Sequence, residues 1–252
     1  MVKLSGVMRR NFDDYLKLMV PSRLYYSHKI AKGIRGAEPE LAILRDIVPT
    51  GRMAIDIGAY RGVYSYALSG IAGRVEAFEP NPVLAKIIAA KLAPRVSVHE
   101  VALSDRDGTA TLYIPRSESG VAYRVGASLG NVNAGATVSE IQVRVATLDG
   151  YGFDNVGFIK MDAEGSELKI IAGGQRTISR DRPNMLVELI APIHDTAAEI
   201  EQIKAMLDYD AWVVVGNTRM EARRALNGLR DAVKDLQRAV HAEIGARLAL
   251  GA

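Results

Sequence analysis

The chain has 252 residues, 48% hydrophobic and 24% charged, the balance of one large folded domain, which excludes disorder over its whole length. With 23 Gly, 9 Pro and no Cys it is neither collagen-like nor a disulfide scaffold, and it offers no thiolate metal site and no catalytic thiol. The net charge of +3 conceals an asymmetry: residues 1–36 carry eight basic and two acidic side chains, residues 219–252 seven and four, and the residues between them 17 and 23. Solvated helix faces are the plain reading of the basic ends; phosphate, anionic lipid or a second subunit's acidic middle are the sharper ones. No apolar run reaches the roughly 18 residues of a spanning helix. Arg9, Arg10, Asp13 and Asp14 break up what would be a signal peptide, so the cytoplasm is the expected compartment.

Residues 5–47 have helical spacing with breaks at Pro21 and Pro39, which predicts an N-terminal helical cap over 1–50. From Arg52 to about Gly216, short β-branched runs alternate with helical stretches, the signature of a parallel sheet made from βαβ units. The strands are expected at Met53–Ile57, Arg74–Phe78, Val96–Val101, Gly157–Met161, Met185–Ile190 and Ala211–Val215. Helices are expected at Gly62–Ser69, Pro82–Lys91, Glu164–Ala172 and Thr196–Leu207. Thr109–Ile114 and Glu140–Val145 alternate like strands, and the glycines and asparagines between them predict a mobile surface loop. Leu226, Leu229, Val233, Leu236 and Val240 recur every three or four residues, which predicts an amphipathic helix over 219–252. Packing on its own domain is the plain use for that stripe; pairing into a homodimer is the sharper one.

Between the first strand and first helix stands Ile55-Asp56-Ile57-Gly58-Ala59-Tyr60-Arg61-Gly62, with glycines where a tight turn lets a ligand approach the backbone. A dinucleotide fingerprint has Gly-x-Gly-x-x-Gly around a pyrophosphate; here an acid replaces the first glycine and would repel that anion. Asp56 suits instead a cationic amino group beside a carboxylate, the methionine part of S-adenosylmethionine, whose carboxylate would face the amides near Gly62. Glu79 ends the second strand 23 residues later, where a carboxylate accepts both hydroxyls of a ribose. Ala102, Leu103 and Ser104, after the third strand, supply backbone groups and a short polar side chain for an adenine edge. Each piece alone has an ordinary explanation, a cap or a turn; their order on successive strand ends is what points to a nucleoside pocket.

The chain resembles the FkbM-type family of S-adenosylmethionine-dependent methyltransferases from about Gly36 to Ile190. The matching motifs are Ile55-Asp56-Ile57-Gly58-Ala59, Ala77-Phe78-Glu79-Pro80-Asn81-Pro82, Ala102-Leu103-Ser104-Asp105, Thr147-Leu148-Asp149 and Ile159-Lys160-Met161-Asp162-Ala163-Glu164-Gly165-Ser166-Glu167. The resemblance implies a Rossmann-like methyltransferase fold, α/β with a doubly wound, mostly parallel sheet. It further implies methylation of a hydroxyl on a sugar, glycoconjugate or polyketide-like molecule, with residues 51–218 as the cofactor-binding domain. Asp56, Gly58, Ala59, Tyr60, Gly62, Glu79, Pro80, Asn81, Ala102, Leu103, Ser104 and Asp162 are the expected cofactor-binding residues. Tyr60 departs from the family, which has Asn there.

Methyl transfer needs an acceptor oxygen placed in line with the methyl carbon and a group to take its proton. Asp162, with Lys160 before it and Glu164 after it, ends the fourth strand, and His194 follows the fifth; these four are the catalytic candidates. Glu164 and Glu167 also suit the cap of the following helix, and Lys160 suits a pair with Glu188. Asp162 with Glu188 could hold a divalent cation, but no further acidic pair follows the fifth strand, so no metal is expected. The remaining alternatives are a non-catalytic scaffold, against which Asp56, Gly58, Gly62 and Glu79 are intact, and an oxidoreductase, whose glycine spacing is missing. A nucleic-acid partner is not expected, with one Trp and four Phe to build a stacking surface.

Overall fold

The computed structural model describes residues 20–36, 38–115, 129, 138–189, 193–215 and 218–221. The chain divides into two compact units, residues 1–190 and 191–252. The first holds α1 (Ser22–Ile34), a 3-10 turn at Pro39–Ile43, α2 (Leu44–Ile47), β1 (Met53–Ile57), α3 (Val63–Leu68), β2 (Arg74–Phe78) and α4 (Pro82–Leu92). It continues through β3 (Ser97–His99), β4 (Ala102–Leu103), β5 (Gly108–Pro115), β6 (Val138–Ala146), a 3-10 turn at Leu148–Tyr151, β7 (Val156–Met161), α5 (Glu167–Gly173), α6 (Gln175–Asp181) and β8 (Asn184–Val187).

Five strands form one parallel sheet in the order β3-β2-β1-β7-β8. The chain builds outward from β1 through β2 to β3, then crosses back to β7 and β8, so the order reverses beside β1. This is the Rossmann-like, doubly wound α/β arrangement, and the reversal opens a crevice at the carboxyl ends of β1 and β7. β1 and β7 are buried along their whole lengths, as central strands covered on both faces must be.

The N-terminal segment joins the core. Tyr26 is fully buried, stacks on Tyr66 with centroids 4.7 Å apart, and belongs to one apolar cluster with Leu41, Leu44, Leu68, Ile88, Leu92 and Phe158. Pro21 and Pro39 mark the start of α1 and of the first 3-10 turn, as the sequence predicts, because proline suits a first helical turn and no later one.

Three expectations are corrected. The strand foreseen at Val96–Val101 is shorter, because β3 leaves the parallel sheet at His99, opposite Phe78; an unforeseen strand, β4, follows it and pairs with β6 in a separate three-stranded sheet, β4-β6-β5. That sheet has its own small core of Ala102, Leu112, Ile114 and Val143. The helix foreseen from Glu164 begins at Glu167, because Glu164 (φ 51°) and Gly165 (φ 93°) are left-handed and cannot start a right-handed helix. Ala211–Val215 does not extend the parallel sheet: in the second unit, after α7 (Ile193–Leu207), β9 (Trp212–Val215) pairs antiparallel with β10 (Thr218–Glu221). The stripe from Leu226 to Val240 lies outside the described residues, as does the loop foreseen around Gly120–Gly135 save residue 129.

Candidate active site

The crevice is lined by residues that the strand register brings together. In the parallel pairing of β1 with β7, Asp56 stands opposite Lys160 and Ile57 opposite Met161, so the two charged side chains share one face of the sheet. Asp56 is fully buried. One carboxylate oxygen, Oδ2, accepts the Ser65 hydroxyl at 2.5 Å; the other, Oδ1, has no hydrogen-bond partner and lies 4.0 Å from the Lys160 ammonium. Burial pushes the Asp56 carboxyl above the usual carboxylate range, against the pull of Lys160 and Ser65. Ser65, nine residues on in α3, was not foreseen.

Lys160, 5% exposed, binds Asp162 Oδ2 at 3.2 Å, reaches the Gly58 carbonyl at 3.4 Å and lies 4.9 Å from the centre of the Tyr64 ring. Its ion pairs are therefore with Asp162 and Asp56, not with Glu188 as foreseen. The cause is the register: residues 160 and 162 lie two apart along one strand direction and project to the same face.

The β1–α3 loop is fixed by close backbone contact. Gly58 has φ 74°, and a Cβ there would stand 1.8 Å from the Asp162 carbonyl oxygen, so only glycine lets the loop pass the end of β7. Tyr60 is also left-handed, φ 51°. Asparagine tolerates that backbone better than tyrosine does, which gives the Asn of the resembling family a physical reason. The Tyr60 amide donates to Glu79 Oε2 at 2.7 Å. Gly62 (φ 77°) caps α3, and the Tyr26 hydroxyl donates to the neighbouring Arg61 carbonyl at 3.0 Å.

Glu79, 6% exposed, accepts the Asn81 amide on its other oxygen at 2.8 Å. Desolvation lifts its carboxyl to about 7, opposed by those two amides. Asn81 caps α4 by accepting the Val83 amide at 3.0 Å, with Pro82 at the first helical position. Ala102 and Leu103 are buried and their backbone is engaged in β4; the Ser104 amide donates to Ala146, and Gly173 packs against the Ser104 carbonyl.

Two acids of the last two shared motifs do structural work. Asp149 accepts the Arg176 and Thr177 amides and the Thr177 hydroxyl, which caps α6 and, against partial desolvation, holds its carboxyl below the usual range. Glu167 accepts the Ala163 and Gly165 amides at 2.9 and 3.3 Å and so shapes the loop after β7.

Around Asp162 the remaining charge is acidic. The Glu188 amide donates to the Met161 carbonyl at 2.9 Å, which sets Glu188 beside Asp162 just beyond the two strand ends. Desolvation, then Asp162, brings the Glu188 carboxyl up to about 7, and the same two causes raise Glu164. Glu40, from the 3-10 turn, accepts the Tyr64 hydroxyl, and Glu38 is raised by desolvation, then by Glu40. These N-terminal acids were not foreseen; no local pattern marks a residue that reaches a strand end more than 100 positions away. Among the described residues, no group of three or more His, Asp or Glu side chains is arranged to hold a metal ion. His194 falls in the first turn of α7, and its side chain lies outside what the structure describes.

A family model, the methyltransferase FkbM domain, matches residues 56–211. No curated protein matches. Among solved structures, the chain is similar to the methyltransferase FkbM from Methylobacillus flagellatus KT, with 18% identity and a TM-score of 0.47 over 82% of this chain and 56% of that one. It spans little more than half the length of that relative. It is also similar to a precorrin-6y C5,15-methyltransferase from Geobacter metallireducens GS-15, with 14% identity and a TM-score of 0.41 over 73% of this chain and 81% of that one. A third likeness is to the precorrin 8w decarboxylase of Methanobacterium thermoautotrophicum, with 11% identity and a TM-score of 0.41 over 72% and 82% of the two chains.

Proposed function

The chain belongs to the FkbM methyltransferase family, and on that premise we propose that it transfers a methyl group from S-adenosylmethionine to a hydroxyl oxygen of a small molecule. A sugar, a glycoconjugate or a polyketide-like compound is the acceptor class in view. The observation that carries this reading is the pairing, at adjacent strand ends, of a buried carboxylate oxygen without a hydrogen-bond partner, Asp56 Oδ1, with the nearly buried Glu79. An orphaned buried acceptor is costly to keep, and a ligand's ammonium would relieve it. Glu79, with each oxygen already oriented by one backbone amide, keeps lone pairs for two ribose hydroxyls. The residues therefore suit the donor.

Bound there, the donor supplies an electrophilic methyl group on a sulfonium. The chain's part is positioning and electrostatics. Asp162 faces the crevice with its side chain 27% exposed and one oxygen fixed by Lys160, which leaves the other to orient an acceptor hydroxyl. Lys160 holds that carboxylate in place. Glu164 and Glu188 stand nearby as open carboxylates, and His194 remains a candidate for taking the hydroxyl proton. The excess of acid around Asp162 disfavours a phosphorylated acceptor and favours one that is neutral where it docks.

Binding is the first test. S-adenosylmethionine and S-adenosylhomocysteine should each raise the melting temperature, as ligands selective for the folded state do, whereas NAD should not. A shift with NAD and none with S-adenosylhomocysteine would end the methyl-donor reading. The acceptor is then sought by incubating labelled donor with a metabolite extract and looking by mass spectrometry for a gain of about 14 Da, one methylene.

A further inference from the structure

The Lys160 ammonium can donate three hydrogen bonds, and three groups other than Asp56 surround it. It binds Asp162 Oδ2 at 3.2 Å and the Gly58 carbonyl at 3.4 Å, and the Tyr64 ring is centred 4.9 Å away, within cation–π reach. Asp56 Oδ1 stands 4.0 Å from the same nitrogen, about 1 Å beyond an ordinary charge-assisted hydrogen bond, and accepts none. A fully buried carboxylate oxygen and a nearly buried ammonium are thus kept from closing on each other. Two consecutive residues of α3 flank the gap. The Ser65 hydroxyl binds Asp56 Oδ2 at 2.5 Å and fixes the carboxylate, while the Tyr64 hydroxyl donates to Glu40 in the 3-10 turn and fixes the ring. Tyr64 is itself buried, so its contact with Lys160 is shielded from water.

Resting on the methyl-donor reading, we propose that Tyr64, pinned by Glu40, is a positioning residue that holds the Lys160 ammonium off Asp56 and so keeps Oδ1 open for the ammonium of the donor's methionine part. Without the ring, one N–H of Lys160 is released, and Asp56 Oδ1 is an unfilled acceptor 4.0 Å away. The ion pair then closes. An incoming ligand must break it before its own ammonium can bind, so the loss falls on ligands that carry an ammonium and spares those that do not.

Calorimetric titration of the full chain with S-adenosylhomocysteine and, separately, methylthioadenosine tests this, because the second ligand keeps the nucleoside and the thioether but has no amino acid. Tyr64→Leu should weaken S-adenosylhomocysteine binding about tenfold and leave methylthioadenosine within about twofold, a difference that general loosening of the fold would not produce. Tyr64→Phe, which keeps the ring and loses its tether, and Glu40→Ala should each give the same selective loss at about two- to threefold. A Lys160→Met background completes a double-mutant cycle: with no ammonium to fall on Asp56, Tyr64→Leu should there cost S-adenosylhomocysteine less than about twofold. Equal losses for the two ligands, no loss in Tyr64→Leu, or an undiminished loss in the Lys160→Met background overturns the proposal. If Tyr64→Leu fails to fold, Tyr64→Phe and Glu40→Ala decide by the same comparison of ligands. Binding of neither ligand to the unaltered chain would instead strike the methyl-donor reading itself.

Discussion

The two ends of the crevice are built by opposite means. At β1 and β2 the loop and Glu79 are fixed in advance: left-handed Gly58, Tyr60 and Gly62 shape the loop, and both oxygens of Glu79 are held by backbone amides. At β7 and β8 the backbone is just as firmly placed, but Glu164 and Glu188 are left without partners among the described residues. The first end is a mould, set by backbone shape and hydrogen bonds. The second is an open acidic edge, with Glu188 set beside Asp162. The contrast teaches that the same sheet edge can separate what must be recognised from what must change during a reaction.

The largest expected effect comes from joining the two ends by force. Gly58→Ala would drive a Cβ into the Asp162 carbonyl at a left-handed position and should cost about 2–5 kcal/mol in chemical denaturation, whereas Gly51→Ala, also left-handed but with nothing within 4 Å, should cost only about 1–2 kcal/mol. Equal costs would mean that the contact between the ends is not tight.

Glu79→Ala probes the mould alone. It should weaken binding of donor and product alike by about 1.5–3 kcal/mol, measured by calorimetry. Glu79 also carries a pH signature. Its folded value of about 7 lies above the ordinary 4.5, so its contribution to stability is complete below about pH 4.5 and is lost as pH rises through 7. Glu79→Gln should therefore flatten the fall in ligand-free melting temperature over that window. A fall of the same size in the variant would assign it to other groups.

Asp149→Ala separates motif from mould. Removal of the α6 cap should lower stability by about 0.5–2 kcal/mol and leave ligand affinity unchanged, since all the described partners of its side chain lie on α6. A selective loss of affinity would give Asp149 a role at the site. The smallest expected effect is a gain: Tyr60→Asn should relieve left-handed strain and stabilise the chain by up to about 1 kcal/mol in the same denaturation assay.

The contrast also explains what could be read from the sequence. β1, β2 and α4 are met within a residue, because an apolar run bounded by a polar break and Asn81-Pro82 at a helix start are local signals. The same is true of Asp56 and Glu79, whose placement follows from strand length alone. The short helix α6 escapes notice because its cap, Asp149, lies 27 or more residues earlier. β4 goes unread as a strand because the partner that holds it, β6, begins beyond residue 137. Likewise the Glu40–Tyr64 hydrogen bond and the approach of Glu38 to Lys160 depend on packing between distant segments, and no spacing rule reports that.

Tyr26 has a consequence for anyone who would recombine this chain with its relatives. Its ring is sealed in the core, and its hydroxyl ends on the carbonyl of Arg61, 35 residues ahead, inside the loop expected to meet the methyl donor. An exchange of N-terminal segments to alter acceptor choice therefore also exchanges the prop beneath the donor loop. Such chimaeras are not modular at residue 50: a graft that lacks a tyrosine in register would lose donor affinity first, and that loss would be mistaken for a change in acceptor preference.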